Sequence, residues 1–299
     1  MTAPIPSSGK HHKVPLALSI RFVKGSEEIH NLADWSVLAP PKRSDHWKPG
    51  RSAMESARAW CGSDGTSVPS QVRALLESNP ATRGVTLTRG EPEKRIVFDE
   101  CGGEPRNADV ALLGTDPRGN IVAITIEAKA DESFGATFQQ TVAASIERMV
   151  SGSHSNGVER AEALAQALLL PRRVGKTIPR AEWTPSLGPL RYQLLTAVAG
   201  TLAFAHQSGA KLAVFIVHEF VTDGTRDEGH RANALDLDAF VTRLSDGAIR
   251  RIPPEQIVGP FPVAENPCWT SMPALYIGKV TKNIRDARAA PRVARAGQR

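Results

Sequence analysis

Residues 106–135 read RNADVALLGTDPRGNIVAITIEAKADESFG and carry the pattern that decides the fold. Two runs rich in apolar and β-branched residues, ADVALLG and NIVAITIEAK, are separated by the turn-forming run DPRG, which predicts a β-hairpin. Because side chains alternate between the two faces of a strand, Glu127 and Lys129 share one face and Ala128 lies on the other. Asp109, near the start of the first strand, falls across the ladder from them.

Two carboxylates and an amine on one hairpin can bind a divalent metal and activate water. Mg²⁺ prefers oxygen ligands from one or two carboxylates, with water and phosphate completing its shell. We therefore expect Asp109, Glu127 and the backbone carbonyl of Ala128 to bind Mg²⁺ or Mn²⁺, and Lys129 to orient and help deprotonate the attacking water. The alternative is a surface ion-pair cluster on an exposed sheet face, which contributes little to stability.

This pattern of Asp109 with Glu127-x-Lys129 resembles the PD-(D/E)xK phosphodiesterase superfamily, which includes many restriction endonucleases. The resemblance implies an α/β, restriction-endonuclease-like core: a central mixed β-sheet flanked by helices in the order αβββαβ. It also implies that Asp109, Glu127 and Lys129 are catalytic. The stretches HWKPGRSAMESARAW and EAKADESFG are similar to an uncharacterised bacterial family of this superfamily. The proline that usually precedes the acidic residue is absent, since Asn107-Ala108 precede Asp109.

The superfamily also has a helix carrying Glu before the sheet and a helix often bearing Gln after the E-x-K strand. Glu55, Arg191 and Gln193 are the supporting candidates at those two places. For Glu55 the alternative is structural, because Ser52 and Glu55 form an S-x-x-E capping-box pattern. For Arg191 and Gln193 the alternative is a solvated helix face.

Other acidic residues near the hairpin have competing assignments. Asp99 and Glu100 replace Asp109 as the metal carboxylates if the strand register differs. Asp131 and Glu132 follow the E-x-K motif, but the next helix is predicted to start there, which favours helix N-terminal charges over metal ligands.

The predicted organisation has three parts. Residues 1–45 form an N-terminal strand and loop, residues 46–280 form the core with a helical insertion at about 131–185, and residues 281–299 form a basic, disordered tail. Within the core we expect separate strands VTLT and KRIVFDE on either side of the turn residues GEP, a helix from Leu190 to Gln207, and KLAVFIVHEF as a buried central strand. LDLDAFVTRL is predicted as a helix and PALYIGKVT as the last strand.

Composition is that of a globular domain. The chain has 299 residues, 41% hydrophobic and 23% charged, with a formal net charge of +6 that favours a polyanionic partner. No apolar run is long enough to cross a bilayer, so we expect no membrane association and a cytoplasmic location. The three cysteines have neither disulfide-framework nor zinc-site spacing.

These observations favour a metal-dependent phosphodiesterase that acts on nucleic acid, with DNA expected rather than RNA. One alternative is a catalytically inactive nuclease-fold module that binds nucleic acid or a protein partner. Another is a structural or interaction protein whose basic tail is unrelated to nucleic acid. A homodimer is expected by analogy, because duplex DNA has two strands.

Overall fold

The computed structural model describes residues 19–62, 65–169 and 185–285. The strands are β1 (Arg21–Lys24), β2 (Glu27–Ile29), β3 (Cys61–Gly62), β4 (Gly65–Thr66), β5 (Thr86–Ile96), β6 (Arg106–Thr115), β7 (Ile121–Lys129), β8 (Leu212–Val221), β9 (Ile257–Phe261) and β10 (Ala274–Asn283). The α-helices are α1 (Leu32–Leu38), α2 (Ser52–Trp60), α3 (Ser70–Glu77), α4 (Phe138–Val150), α5 (Gly157–Leu169), α6 (Tyr192–Gln207) and α7 (Asp227–Leu244).

A mixed sheet runs through the molecule in the spatial order β2-β1-β5-β6-β7-β8-β10-β9. Strands β5, β6 and β7 are antiparallel neighbours, whereas β8 runs parallel to β7 and β10 runs parallel to β8. Parallel neighbours need a long crossover, and α4, α5 and α6 supply it between β7 and β8. The predicted α/β class, with helices flanking a central mixed sheet, is confirmed.

Each face of the sheet is covered by its own helices. On one face lies α6, in which every residue from Leu194 to Ala205 is buried. On the other face α1, α2 and α3 contribute Trp35, Trp60 and Leu75 to a cluster that includes alternate residues of β7 and β8. Both faces of β8 are therefore covered, as its apolar sequence predicts, and its residues 213–220 are all buried.

The hairpin forms as predicted, since Asp116 accepts hydrogen bonds from the backbone of the turn and Gly119 has a φ of +81°. The helix expected at Leu190–Gln207 begins at Tyr192 and is followed by Gly209 at φ +66°. The predicted helix LDLDAFVTRL is the second half of α7, and the predicted last strand is β10.

One predicted boundary is wrong, because the GEP run at 90–92 is not a turn. Strand β5 continues through it, with Pro92 opposite Val110. A Cβ at Gly90 would lie 2.6 Å from the Phe22 ring, so the glycine lets β1 approach closely. Pairing of β1 with β5 stops at Gly90, and Pro92 therefore stands where β5 is an open edge, a position at which strands tolerate proline.

The helical insertion is present as α4 and α5, joined by residues 151–156, while residues 170–184 lie outside the described part of the chain. Helix α4 begins at Phe138, where Thr137 and Gln140 form a capping box. Asp131 and Glu132 precede this helix by several residues, so their prediction as helix N-terminal charges is wrong. Of the predicted basic tail, residues 286–299 also lie outside the described residues.

The N-terminal region does not stand apart from the core. Its β1 pairs in parallel with β5 and antiparallel with β2, so both strands extend the central sheet. Residues 1–18, where the predicted first strand would begin, are not among those described.

Gly114 is the position where the sheet leaves least room for a side chain, and we predict that Gly114→Ala destabilises the fold. A Cβ there would meet the Thr86 carbonyl and lie 3.0 Å from Leu87 Cα, both of which are backbone atoms of the neighbouring strand. We expect a loss of about 1–3 kcal/mol, since overpacked sites relax only at the expense of backbone shifts. Urea denaturation measures it.

Gly229→Ala is the matched control, because a Cβ at this exposed site in α7 meets nothing within 4 Å. The control should be neutral or slightly stabilising, since alanine favours helix over glycine. Equal stability of Gly114→Ala and the parent protein would contradict the close approach of β5 and β6.

Candidate active site

Asp109 lies where the ladder between β6 and β7 ends. The last backbone pair joins Val110 and Ile126. One residue further along, a side chain replaces the backbone as the hydrogen-bond acceptor: Asp109 Oδ2 accepts a hydrogen bond from the Ala128 N–H at 2.6 Å. In an extended strand the N–H and C=O of one residue point towards the same neighbour, so the Ala128 carbonyl also lies on the Asp109 side. Asp109 is thus held against the Glu127-x-Lys129 strand.

Glu127 is surrounded by hydrogen-bond donors. Its Oε1 accepts a hydrogen bond from Gln193 Nε2 at 2.7 Å and lies 2.8 Å from Lys129 Nζ. Its Oε2 pairs with Arg106 Nη2. A buried carboxylate is tolerated only when it is paired and hydrogen-bonded, and both Glu127 oxygens meet that condition.

Lys129 is the second charge on the same face. Its Nζ donates a hydrogen bond to Gln193 Oε1 at 3.2 Å and lies 5.2 Å from the centre of the Phe134 ring. Burial lowers the pKa of Lys129, and the neighbouring Asp109 opposes that shift.

The charged residues of β7 are buried, so they do not form the surface ion-pair cluster that was the alternative interpretation. Thr125, Glu127 and Lys129 are 3%, 3% and 6% exposed, so the polar face of β7 lies inside the molecule. Taking an ion out of water costs several kcal/mol even after relaxation. The charges of β7 are therefore a costly feature of the core, unlike a solvated surface pair.

Arg106, at the start of β6, is a site residue that sequence reasoning missed. Its side chain packs beneath α6, where a Cβ at Gly200 would lie 3.0 Å from Arg106 Cγ. Burial lowers the pKa of Arg106, while Asp109 and Glu93 raise it. A single arginine at the start of a strand is not distinctive, so the sequence carried no signal for its role.

Glu93 is the second residue that was missed, because its surroundings were interpreted as a turn. Its φ of +48° lies in the left-handed region, which is uncommon for residues other than glycine. Its carboxylate accepts a hydrogen bond from Asn107 Nδ2. Burial and the neighbouring Asp109 raise the pKa of Glu93 to about 7. Burial also raises the pKa of Asp109, against the opposing effects of Lys129 and the Ala128 N–H.

Glu132 joins the same cluster from the loop after β7. Its Oε2 accepts a hydrogen bond from the Ala130 N–H at 3.0 Å, and its Oε1 accepts one from Ser52 Oγ at 2.7 Å. Glu132 interacts electrostatically with both Asp109 and Lys129. The Ser52 bond ties the N-terminus of α2 to the end of β7.

The predicted capping box of α2 is wrong. Arg51 is the N-cap residue, and the Ser52 hydroxyl is directed to Glu132. Glu55 instead accepts hydrogen bonds from the Gly50 N–H at 2.8 Å and from Arg58 Nη1 at 3.0 Å. Glu55 also lines a cavity of about 180 Å³ beside Asp131, rather than contacting Asp109 or Glu127 in the structure.

The remaining candidates separate into one inside the cluster and others outside it. Gln193 bridges Glu127 and Lys129, as described above. Arg191 donates hydrogen bonds to Asp236 at 2.8 Å and to the Gly135 carbonyl at 2.7 Å, so it ties α6 to α7 and to the loop after β7. Asp99, the alternative metal carboxylate, pairs with Arg160.

The donor set at the end of β7 suits a hard divalent cation. Four carboxylates (Glu93, Asp109, Glu127 and Glu132) lie near the cations Arg106 and Lys129, and Lys24 also lies near Glu93. Two carboxylates and a carbonyl match the preference of Mg²⁺ for a few protein oxygens. Among the described residues, no group of three or more His, Cys, Asp or Glu side chains is arranged to hold a metal ion. Asp109, Glu127 and the Ala128 carbonyl are the oxygens at this place that could hold a metal, together with water and substrate.

We predict that Glu93→Gln stabilises the protein increasingly as pH rises. Because the pKa of Glu93 is raised from 4.5 to about 7 in the folded state, this carboxyl group stabilises the fold below pH 4.5, and that contribution is lost as pH rises to about 7. Glutamine mimics the protonated form, so the melting temperature of the variant minus that of the parent should grow across this window. Thermal melts in EDTA measure the difference.

Glu91→Gln, which removes a carboxylate from the same strand, controls for the general effect of one charge. The account expects a gain for Glu93→Gln of several degrees at pH 8 and almost none at pH 4.5. A difference that stays constant or shrinks between these pH values would contradict the burial of Glu93 beside Asp109.

Comparison with known proteins places the chain in a family. A family model described as a domain of unknown function (DUF6946) matches residues 28–283, so the chain belongs to that family. No curated protein and no solved structure matches it. Within the described residues, no helix is long and apolar enough to span a membrane.

Proposed function

We propose that this member of the DUF6946 family is a divalent-metal-dependent phosphodiesterase that cuts DNA. Its active site would lie at the end of the protein strand β7. One observation carries the proposal: Asp109, Glu127, Lys129 and Gln193 converge there from β6, β7 and α6. The two carboxylates could bind a metal, and the Lys129 amine, held by the Gln193 amide, could position water.

The order of elements around this site supports the proposal. Helices α2 and α3 precede three antiparallel strands, β5, β6 and β7, and α6 then leads to β8, which runs parallel to β7. That is the αβββαβ order of the superfamily that the Asp109 and Glu127-x-Lys129 pattern resembles. Fold alone does not determine function, so the proposal rests on the site and the order of elements adds to it.

Each residue has a defined part in the proposed reaction. Asp109, Glu127 and the Ala128 carbonyl would bind Mg²⁺ or Mn²⁺, which when bound would stabilise negative charge on the phosphodiester and acidify a bound water. Lys129 would orient the attacking water and accept its proton, for which its lowered pKa prepares it. Gln193 would hold the Lys129 amine in place, since it contacts both Lys129 and Glu127.

DNA is the proposed substrate because the chain carries a net charge of +6, and cationic side chains that contact phosphate release counterions. Cutting both strands of a duplex would require two sites, which favours a homodimer. This substrate also favours a cytoplasmic location.

We predict that Lys129→Ala abolishes metal-dependent cleavage of supercoiled plasmid. Loss of a group that acts on the water should lower the rate by about 10²–10⁴-fold. The assay compares Mg²⁺, Mn²⁺ and EDTA for the parent and the variant, with circular dichroism as a check of folding. Equal cleavage rates for the two proteins would contradict the assignment of Lys129 as a catalytic residue.

Arg160→Ala is the matched control, because Arg160 is a largely buried cation, 14% exposed, that pairs with the carboxylate of Asp99 away from β7. Its cleavage rate should match that of the parent. Equal loss of cleavage in both variants would attribute the effect to the removal of a buried cation rather than to chemistry at β7.

A second candidate function is a nucleic-acid-binding module without catalysis. The Arg106–Glu127 ion pair favours it, since Glu127 is then balanced by the protein itself. Such a module would bind oligonucleotides with salt-dependent affinity and would not cut them with either metal.

A further inference from the structure

Arg106 occupies one oxygen of the carboxylate that the proposed reaction assigns to a metal. The guanidinium pairs with Glu127 Oε2, and its side chain is 13% exposed. Asp109 and Glu93 also raise the pKa of Arg106, so three carboxylates surround this one cation. The other two groups on Glu127, Lys129 and Gln193, contact Oε1. Arg106 is therefore the group that stands between Glu127 Oε2 and any other cation.

A divalent cation at this oxygen would repel the guanidinium that is paired with it. Arginine keeps its charge under ordinary conditions, so it cannot make room by losing a proton and must move instead. Removing Arg106 without a replacement would leave Glu127 with Lys129 as its remaining counter-ion and with Oε2 unpaired, which is costly for a buried carboxylate. A divalent cation next to Glu127 and Asp109 would supply the missing charge.

The position of Arg106 allows such a movement. It opens β6, where its partner Ile96 closes β5, and the chain before it, residues 97–105, is a loop outside the sheet. Residues 102–104 of this loop are exposed. Arg106 therefore lies at the margin of the sheet beside an exposed loop, and its side chain keeps 13% exposure.

We infer that Arg106 is a built-in counter-ion of Glu127, and that a divalent metal and Arg106 are alternative partners of this carboxylate. This inference rests on the proposed function, because it assigns Glu127 to the metal. While Arg106 is paired, metal affinity is reduced by the free energy needed to displace the guanidinium. A phosphate group that binds the released Arg106 would raise metal affinity, and the metal would raise phosphate affinity equally, since coupling between sites is reciprocal.

The test is titration of the full-length protein with Mn²⁺ by calorimetry, in the absence of nucleic acid. We predict that Arg106→Met binds Mn²⁺ at least about tenfold more tightly than the parent, which corresponds to about 1.4 kcal/mol. Arg160→Met is the matched control, because Arg160 is 14% exposed and pairs with the buried Asp99 away from β7. The control should bind Mn²⁺ as the parent does.

Gly200→Ala provides a second variant should Arg106→Met fail to fold. The added Cβ would lie 3.0 Å from Arg106 Cγ and 3.3 Å from its Cβ, so the arginine must shift slightly, which strains its pairing with Glu127 without removing its charge. Mn²⁺ affinity should rise in this variant too, by a smaller factor.

The outcomes separate the inference from the proposed function. Plasmid cleavage by the parent, together with unchanged or weaker Mn²⁺ affinity in the variant that folds, would overturn the inference alone. Absence of Mn²⁺ binding in every protein, together with absence of cleavage, would overturn both. Tighter Mn²⁺ binding in Arg106→Met and Arg160→Met alike would also overturn the inference about Arg106, since the effect would then be one of net charge.

Discussion

The structure depends on the placement of a charged carboxylate, Glu127, inside the core between a sheet and a helix. Burial of an ion is expensive, and the surrounding elements offset it from three directions. Arg106 approaches from β6, Lys129 from β7 itself, and Gln193 from α6. A protein that needed only a stable sheet would place apolar residues at these positions, and this cost is the reason that we propose a functional site there.

Backbone geometry sets the site as much as the side chains do. Pairing of β6 with β7 stops at Val110, and the Asp109 carboxylate then takes the next bond to the Ala128 N–H. Strand β8 pairs with β7 on the other side, with Ala128 opposite His218, while on the β6 side the Ala128 N–H bonds Asp109. The ladder therefore ends in a carboxylate and a carbonyl on the same side, and both are oxygen ligands of the kind that a hard cation prefers.

Local pattern predicted the hairpin, the buried β8 and the long α6, because alternation, turn residues and helix stops are properties of neighbouring residues. It also placed Asp109, Glu127 and Lys129 together, since the strand register follows from the turn. It missed Arg106 and Glu93, whose roles arise only when β5, β6 and α6 pack. Ser52 shows the same limit: its local pattern predicted a cap, but tertiary contact with Glu132 directs its hydroxyl elsewhere.

The central claim is that the end of β7 binds a divalent metal, and anomalous diffraction from a crystal soaked in Mn²⁺ tests it most directly. The account predicts an anomalous peak within coordination distance of Asp109, Glu127 and the Ala128 carbonyl, with the Arg106 guanidinium moved away from Glu127 Oε2. A map without a peak at this place, with Arg106 still paired to Glu127, would contradict the account and leave the cluster as a structural ion-pair network.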